Sequence, residues 1–294
     1  MRQPTPLHVE RDQSDYKSYF SVYDRIDPPL RRGSKLAVGP QQALLRTRAI
    51  VTALQDYRST LLFYLEQEDV GMKLGPGEPS AAPWRVVPVR DFVRLVLDSR
   101  THDRPWILAV DGRGGNGKST IADILHHAVP NSLVVHTDDI AWHHSFFDWG
   151  DLLIEDILKP LQRGKAVRYQ PPGWETHGRT GAIEIAAGLA LVIVEGVGAS
   201  RIEAMPWIDR SLWVQSDLDE AKRRCLAREG NTEEARKFWD EWMSEEVDFL
   251  QRQRPWERAT AIVNNTPTQP YDRSSHIVVS VASPCFTSTT IVGS

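Results

Sequence analysis

Cysteine is scarce in this chain. Among 294 residues there are two, Cys225 and Cys285, far apart and without C-x-x-C spacing. That speaks against a disulfide framework and leaves two reduced thiols. An excess of either charge is also missing. Lys and Arg number 35 against 39 Asp and Glu, a net charge of −4. There is no global basic field to gather nucleic acid or an anionic membrane, although a local basic pocket stays open. Long apolar runs are absent too. The longest, AAGLALVIVEGVGA at 186–199, is short for a bilayer and carries Glu195. The opening MRQPTPLHVERDQSDYK lacks the apolar core of a secretion signal. These absences give the expectation of a cytoplasmic protein that handles a small molecule, with neither nucleic acid nor membrane as partner.

What is present divides the chain in three. Residues 1–38 are polar and aperiodic, and 41–69 carry Leu44, Leu45, Val51, Leu54, Leu61 and Leu65 at helical spacing. GMKLGPGEPSAAP at 71–83 reads as a breaker-rich linker, so 1–83 is expected to be an N-terminal extension with an amphipathic helix. From Trp84 strand-like and helix-like blocks alternate. WRVVPV, PWILAVDG, SLVVHT, LALVIVEG, SLWVQS and ATAIVNN read as strands. The helices between them are RDFVRLVLDSR, KSTIADILHHAV, GDLLIEDILKPLQRG (capped by Gly164), DLDEAKRRCLAREG and NTEEARKFWDEWMSEEVDFLQRQ. The last opens on Asn231 and Glu234 in capping-box spacing and carries an aromatic stripe that reads as core. Apolar strands alternating with helices predict an α/β domain over 84–270, with a mostly parallel sheet flanked by helices. The Ser/Thr-rich end, 271–294, reads as a tail.

One stretch carries the chemistry. Gly112-Arg113-Gly114-Gly115-Asn116-Gly117-Lys118-Ser119 fits G-x-x-x-x-G-K-[ST] at every position and lies between a strand and a helix. Converging backbone N–H groups on one anion needs dihedrals and closeness that side chains obstruct, hence Gly112, Gly114, Gly115 and Gly117. The helix begun near Lys118 aims its positive end and free amides, those of Ser119 and Thr120 included, at the same point. Lys118 supplies a mobile cation for the β and γ phosphates, and the Ser119 hydroxyl a ligand for Mg²⁺. No N-K-x-D element for reading guanine is found.

A second constellation follows SLVVHT. Asp138 and Asp139 come at the C-terminal end of a strand, where a parallel sheet collects its active groups. A carboxylate there can take a proton from an attacking hydroxyl or hold Mg²⁺, and Glu195 at a neighbouring strand end can complete the metal shell. Asp138-Asp139 also fits a helix cap. Trp142, Phe146, Phe147 and Trp149 supply flat apolar surface suited to a sugar or base. His136, His143 and His144 match no zinc spacing.

Over roughly 104–265 the chain resembles the uridine kinase/phosphoribulokinase branch of P-loop kinases. The residues that carry the likeness are GRGGNGKS, Asp138-Asp139, Phe147-Asp148, His177-Gly178-Arg179, Glu195-Gly196 and AKRRCLAREG. The resemblance implies a P-loop NTPase fold with a helical lid, ATP and Mg²⁺ as cofactors, and transfer of the γ-phosphate to a small-molecule hydroxyl. It implies Asp138 as base and metal partner, Asp148, Trp174, His177 and Arg179 at the acceptor, and lid arginines such as Arg224 and Arg228 on the transferring group. One departure stands out. The Tyr-Asp pair that uridine kinases carry before the H-x-R histidine is replaced by Pro172-Gly173-Trp174. A second reading therefore stays open, an ATP-binding regulator, scaffold or ATPase switch with a degraded kinase site. A homo-oligomer is compatible with either.

Overall fold

The computed structural model describes residues 71–97, 103–268 and 270–280. The helix read over 41–69, Cys285 and the tail beyond Ser280 lie outside them.

Seven strands form the main sheet: β1 (Trp84–Pro88), β2 (Trp106–Gly112), β3 (Ser132–His136), β6 (Leu191–Glu195), β7 (Arg210–Gln215), β8 (Ala261–Asn264) and β9 (His276–Ser280). They lie in the order β1-β9-β8-β7-β2-β6-β3. From β3 to β8 all neighbours are parallel. A separate ribbon pairs β4 (Val167–Tyr169) with β5 (Ile183–Ile185).

The core follows from the period of two along the central strands. Leu108 and Val110 of β2 and Ile193 of β6 face one side, with Phe92, Ile121, Leu125 and Val214. Ile107 and Ala109 of β2 and Val192 and Val194 of β6 face the other, with Trp149, Leu153, Ile157 and Leu161. Both faces are covered, so every residue of β2 and β6 is buried and the strands read as unbroken apolar runs. The first face belongs to helices α1 (Val89–Val96) and α2 (Lys118–Ala128). The second belongs to α4 (Gly150–Leu153), a π turn (Ile154–Leu158) and α5 (Lys159–Gln162). The widened turn comes just before Pro160, whose missing N–H cannot continue the helical ladder. Gly164, with φ of 67°, ends this helical run as its sequence position predicts.

Three features differ from the sequence reading. β9 lies inside the segment expected to be tail, antiparallel to both β8 and β1. The segment expected to be a linker is fastened to the domain: Glu78 meets Arg113 at 3.2 Å with both side chains buried, and Gln215 donates to the Pro79 carbonyl at 3.0 Å. The helix after the strand SLWVQS and its successor are α7 (Leu218–Arg228) and α8 (Glu233–Gln253). The cap of α8 is Thr232, whose hydroxyl accepts from the Ala235 amide, while Asn231 sits at φ 55° in the turn before it. The cap expected at Asn231 is thus moved by one residue, because the turn consumes the asparagine, and with Ala235 three residues on there is no reciprocal box.

Asp217 caps α7, accepting from the amides of Asp219 and Glu220, and also accepts from the Lys73 amide. The Lys73 hydrogen bond, followed by those of the helix amides, holds its carboxyl below the ordinary range. A depressed carboxylate stabilises the fold above its unfolded pKa, and that contribution is lost as pH falls through the folded value. Asp217→Ala is expected to cost about 1 kcal/mol at neutral pH, read from denaturant midpoints, with the difference from wild type vanishing in acid. Among the described residues no helix is long and apolar enough to cross a membrane.

Candidate nucleotide and phosphoryl-transfer site

The glycine-rich loop leaves the C-terminal end of β2, in the middle of the parallel strands. The chain leaves β2 toward β3 on one side, while β7 leads to β8 on the other, so the loop sits where the sheet's connections diverge. Its shape is fixed from beneath. Asn116 is fully buried and donates to the Val214 carbonyl at 2.7 Å, while Ser216 donates to its side-chain oxygen at 2.9 Å. Asn265 donates to the Asn116 carbonyl at 2.9 Å. The Asn116 side chain therefore holds the loop to β7, and only its backbone is left for a ligand.

Two glycines show why side chains are absent here. Gly117 has φ of 82°, and a Cβ on it would meet Asn265 at 1.9 Å. Gly115 has φ of 78°, and a Cβ would meet the Ala221 carbonyl oxygen of α7 at 2.3 Å. Gly115→Ala is expected to destabilise the protein by roughly 1–3 kcal/mol, because a non-glycine in the left-handed region is strained and the backbone it strikes cannot move aside. Thermal melting checks this, with Gly178→Ala, whose Cβ would meet nothing within 4 Å, separating conformational strain from the clash.

Asp111, the residue before the loop, is completely buried and accepts from four donors: the amides of Gly112, Gly198 and Ser200, and the Ser200 hydroxyl, at 2.7 to 2.9 Å. Burial pushes its carboxyl up, and the Ser200 and glycine hydrogen bonds pull against that. It ties the end of β2 to the loop after β6. Asp111→Ala would orphan the buried amides of Gly198 and Ser200, at about 1–3 kcal/mol each, whereas Asp111→Asn keeps an acceptor and is expected to cost less; urea denaturation compares them.

Beyond the loop the predicted residues converge in part. Lys118 is nearly buried, and its Nζ donates to the Arg113 carbonyl at 2.9 Å. At the end of β6, Glu195 accepts from His136 Nδ1 at 2.6 Å. Burial pushes Glu195 up, but the His136 hydrogen bond, the Lys118 charge and the Ser119 hydroxyl outweigh it, and its carboxyl lies below the ordinary range. His136 is raised, first by Glu195 and then by Asp139 and Asp138. One electrostatic unit thus joins Lys118, Ser119, Glu195, His136 and the two aspartates. Asp138 and Asp139 open the short helix α3 (Thr137–Ala141). Asp138 is exposed and without a hydrogen bond or ion pair among the described residues, so its lone pairs are available.

Asp139 belongs to a different contact. It pairs with Arg179 at 2.7 Å, and its carbonyl accepts from Trp174 Nε1 at 2.7 Å. Arg179 lies over the Trp174 ring at 3.6 Å. His177 stacks on His143 at 3.9 Å and 11°, and its Nδ1–H donates to the Gly173 carbonyl. Trp174, His177 and Arg179 are therefore grouped beside the Asp138-Asp139 helix. Trp174 itself is buried beneath the arginine, which leaves the arginine's face and the histidine stack for a ligand.

Other predicted residues lie elsewhere. Asp148 lines a cavity of about 920 Å³ together with Phe146, Phe147, Arg201, Glu245 and Phe249, and none of Asp138, Trp174, His177 or Arg179 is in that lining. The aromatic surface expected there is largely spent on packing: Trp149 is buried under Arg201, and Phe147 stacks on Phe249 at 4.3 Å. The lid arginines are paired with acids of their own helix and its end. Arg224 pairs with Glu220 at 2.9 Å and Arg228 with Glu229 at 3.1 Å. Among the described residues, no group of three or more His, Cys, Asp or Glu is placed to hold a metal ion by itself.

Glu246 is a functional candidate that the sequence reading passed over. Fully buried on α8, it accepts from the Gly114 amide at 2.7 Å and from Trp242 Nε1 at 3.1 Å. A signal did exist: Glu246 falls four residues after Trp242 and four before Leu250, in the buried stripe of the helix.

A five-stranded parallel core with a G-x-x-x-x-G-K-S loop at the end of its central strand defines an α/β fold of the P-loop NTPase kind. No family model matches the chain, and no curated relative matches it. Among solved structures the chain is similar to a possible uridine kinase from Bacillus stearothermophilus, 15% identical over 59% of this chain and 96% of that one, with a TM-score of 0.36. It is also similar to a protein described as a fructose transport system kinase from Silicibacter sp. TM1040, 16% identical over 59% and 95%, TM-score 0.41. The YGR205w protein is a third, 14% identical over 60% and 93%, TM-score 0.37. The fold assignment rests on the strand order and the loop, not on these likenesses.

Proposed function

We propose that the protein is an ATP- and Mg²⁺-dependent phosphotransferase that moves a γ-phosphate to a hydroxyl of a small molecule, a nucleoside or sugar by the family likeness. The observation that carries the proposal is the convergence of Lys118, Ser119, Glu195 and the unpaired Asp138 at the ends of adjacent strands. The loop fits the nucleotide: its glycines occupy positions where a Cβ would collide, and one of its amides already holds a carboxylate. Bound ATP would supply the phosphoryl group and Mg²⁺ would neutralise its charge.

The chain's own residues divide the remaining work. Amides of the loop through Ser119 and Thr120 hold phosphate oxygens, and Lys118 swings from the Arg113 carbonyl to add positive charge. Ser119, Glu195 and Asp138 would hold the metal, directly or through water. Asp138 would accept the acceptor's hydroxyl proton as that oxygen bonds to the γ-phosphorus and the bond from that phosphorus to the β-phosphate oxygen breaks, with ADP leaving. Arg179, held over Trp174, and His177 on His143 would position the acceptor. Arg179→Ala is expected to raise the acceptor KM roughly tenfold, the scale of one charge-assisted contact, with KM for ATP unchanged. Steady-state kinetics with each substrate varied in turn check that split.

A second reading has one observation in its favour. Glu246 occupies a loop amide while Arg224 and Arg228 are engaged elsewhere, as suits an ATP-responsive regulator. ATP turnover across a panel of nucleosides, sugars and other alcohols, with mass detection of product, decides between them. A phosphorylated acceptor supports the transferase; ATP binding with no ADP release above background for any acceptor supports the regulator.

A further inference from the structure

Glu246 is an odd residue for the core of a helix. α8 places it on the face that carries Trp239, Phe249 and Leu250, all buried, and its own exposure is 0%. One oxygen, Oε1, receives both available donors, the Gly114 amide and the Trp242 indole. The other, Oε2, is buried with no hydrogen-bond partner. Burial pushes this carboxyl up, and the Gly114 amide, Lys118 and Arg113 pull it back, so the acid lies within electrostatic reach of the loop's own lysine. A carboxylate that served packing alone would be expected to have both oxygens satisfied. This one instead sits on an anion-binding loop with one of its two oxygens left without a partner.

We propose that Glu246 is an internal occupant of the nucleotide site: its carboxylate takes the Gly114 amide in place of a phosphate oxygen, and a nucleotide enters by displacing it. The proposal rests on the nucleotide reading of the loop. A phosphate brings three oxygens and more charge to the same amides and to Lys118, so exchange is favourable once nucleotide is supplied. Displacing Glu246 requires α8 to withdraw, because the acid reaches the loop from a helical turn fixed by Trp242 and Phe249. The loop's other neighbour, α7, already stands close enough at Ala221 to exclude a side chain from Gly115. Nucleotide affinity is thereby reduced by the fraction of molecules in which the site is self-occupied.

The test is equilibrium binding of ATP, and of inorganic tripolyphosphate as a probe without base or sugar, to the full chain. Wild type is compared with Glu246→Ala, Glu246→Gln, Trp242→Phe and Lys118→Ala. Removing the competing carboxylate is expected to tighten both ligands about tenfold in Glu246→Ala, with smaller gains in the same direction for Glu246→Gln and Trp242→Phe. A carboxylate with only a structural role would give no gain. If Glu246→Ala does not fold, Glu246→Gln and Trp242→Phe carry the same comparison. Equal or weaker binding in the folded variants, while wild type binds and Lys118→Ala does not, overturns the internal occupant and leaves the nucleotide reading standing. Absence of binding by wild type and every variant overturns both.

Discussion

Lys118→Ala should leave a folded protein that no longer holds or turns over ATP. The loop's other cation, Arg113, is engaged by Glu78 at 3.2 Å, which leaves Lys118, whose Nζ rests on the Arg113 carbonyl at 2.9 Å, to meet phosphate oxygens. Taking away one preorganised donor for developing charge costs roughly 10²–10³-fold in turnover. Here the donor also carries a full charge on a nearly buried side chain, so the effect is expected at the upper end or beyond. Lys118→Met keeps most of the stem that packs beside Gly112 and separates lost charge from lost packing. Calorimetric titration with ATP, together with melting curves, checks the result. ATP affinity retained by both variants would sink the phosphate assignment.

Asp138→Asn should give the opposite pattern, with binding kept and chemistry lost. Its side chain makes no hydrogen bond among the described residues, so the amide fits without rearrangement. A general base contributes roughly 10²–10⁴-fold, and kcat should fall by that factor while the ATP dissociation constant changes by less than about twofold. Transfer at the wild-type rate would remove Asp138 from the mechanism and shift attention to His136, two residues before it and already bonded to Glu195.

The parts of this molecule that were legible in its sequence are those governed by near neighbours along the chain. The glycine loop is readable because each position answers a local demand of the main chain. β2 and β6 are readable because burial on both faces keeps polar residues to their C-terminal ends, at Asp111 and Glu195. Trp174, His177 and Arg179 could be grouped with the aspartates only through the family likeness. What escaped depends on partners distant in the chain. Glu246 reaches a loop 132 residues away, and Glu78 reaches Arg113 from a stretch whose glycines and prolines resemble a spacer. The strand at 276–280 is short and followed by a Ser/Thr-rich run, and nothing nearby announces that its edge is completed by β1. Aromatic residues 146–149 were expected to face a ligand, yet Trp149 and Phe147 found better burial beneath Arg201 and against Phe249.

The pairing of β1 with β9 has a consequence for biosynthesis. Trp84 lies opposite Ser280, so the earliest-made strand of the sheet must wait for almost the whole domain to emerge before it gains its neighbour. The parallel centre can assemble while translation continues, but the margin closes only at the end, and ribosome-bound intermediates would carry an unpaired edge until then. Stalling translation just before residue 276 should therefore yield nascent chains with a protected centre and a protease-sensitive β1.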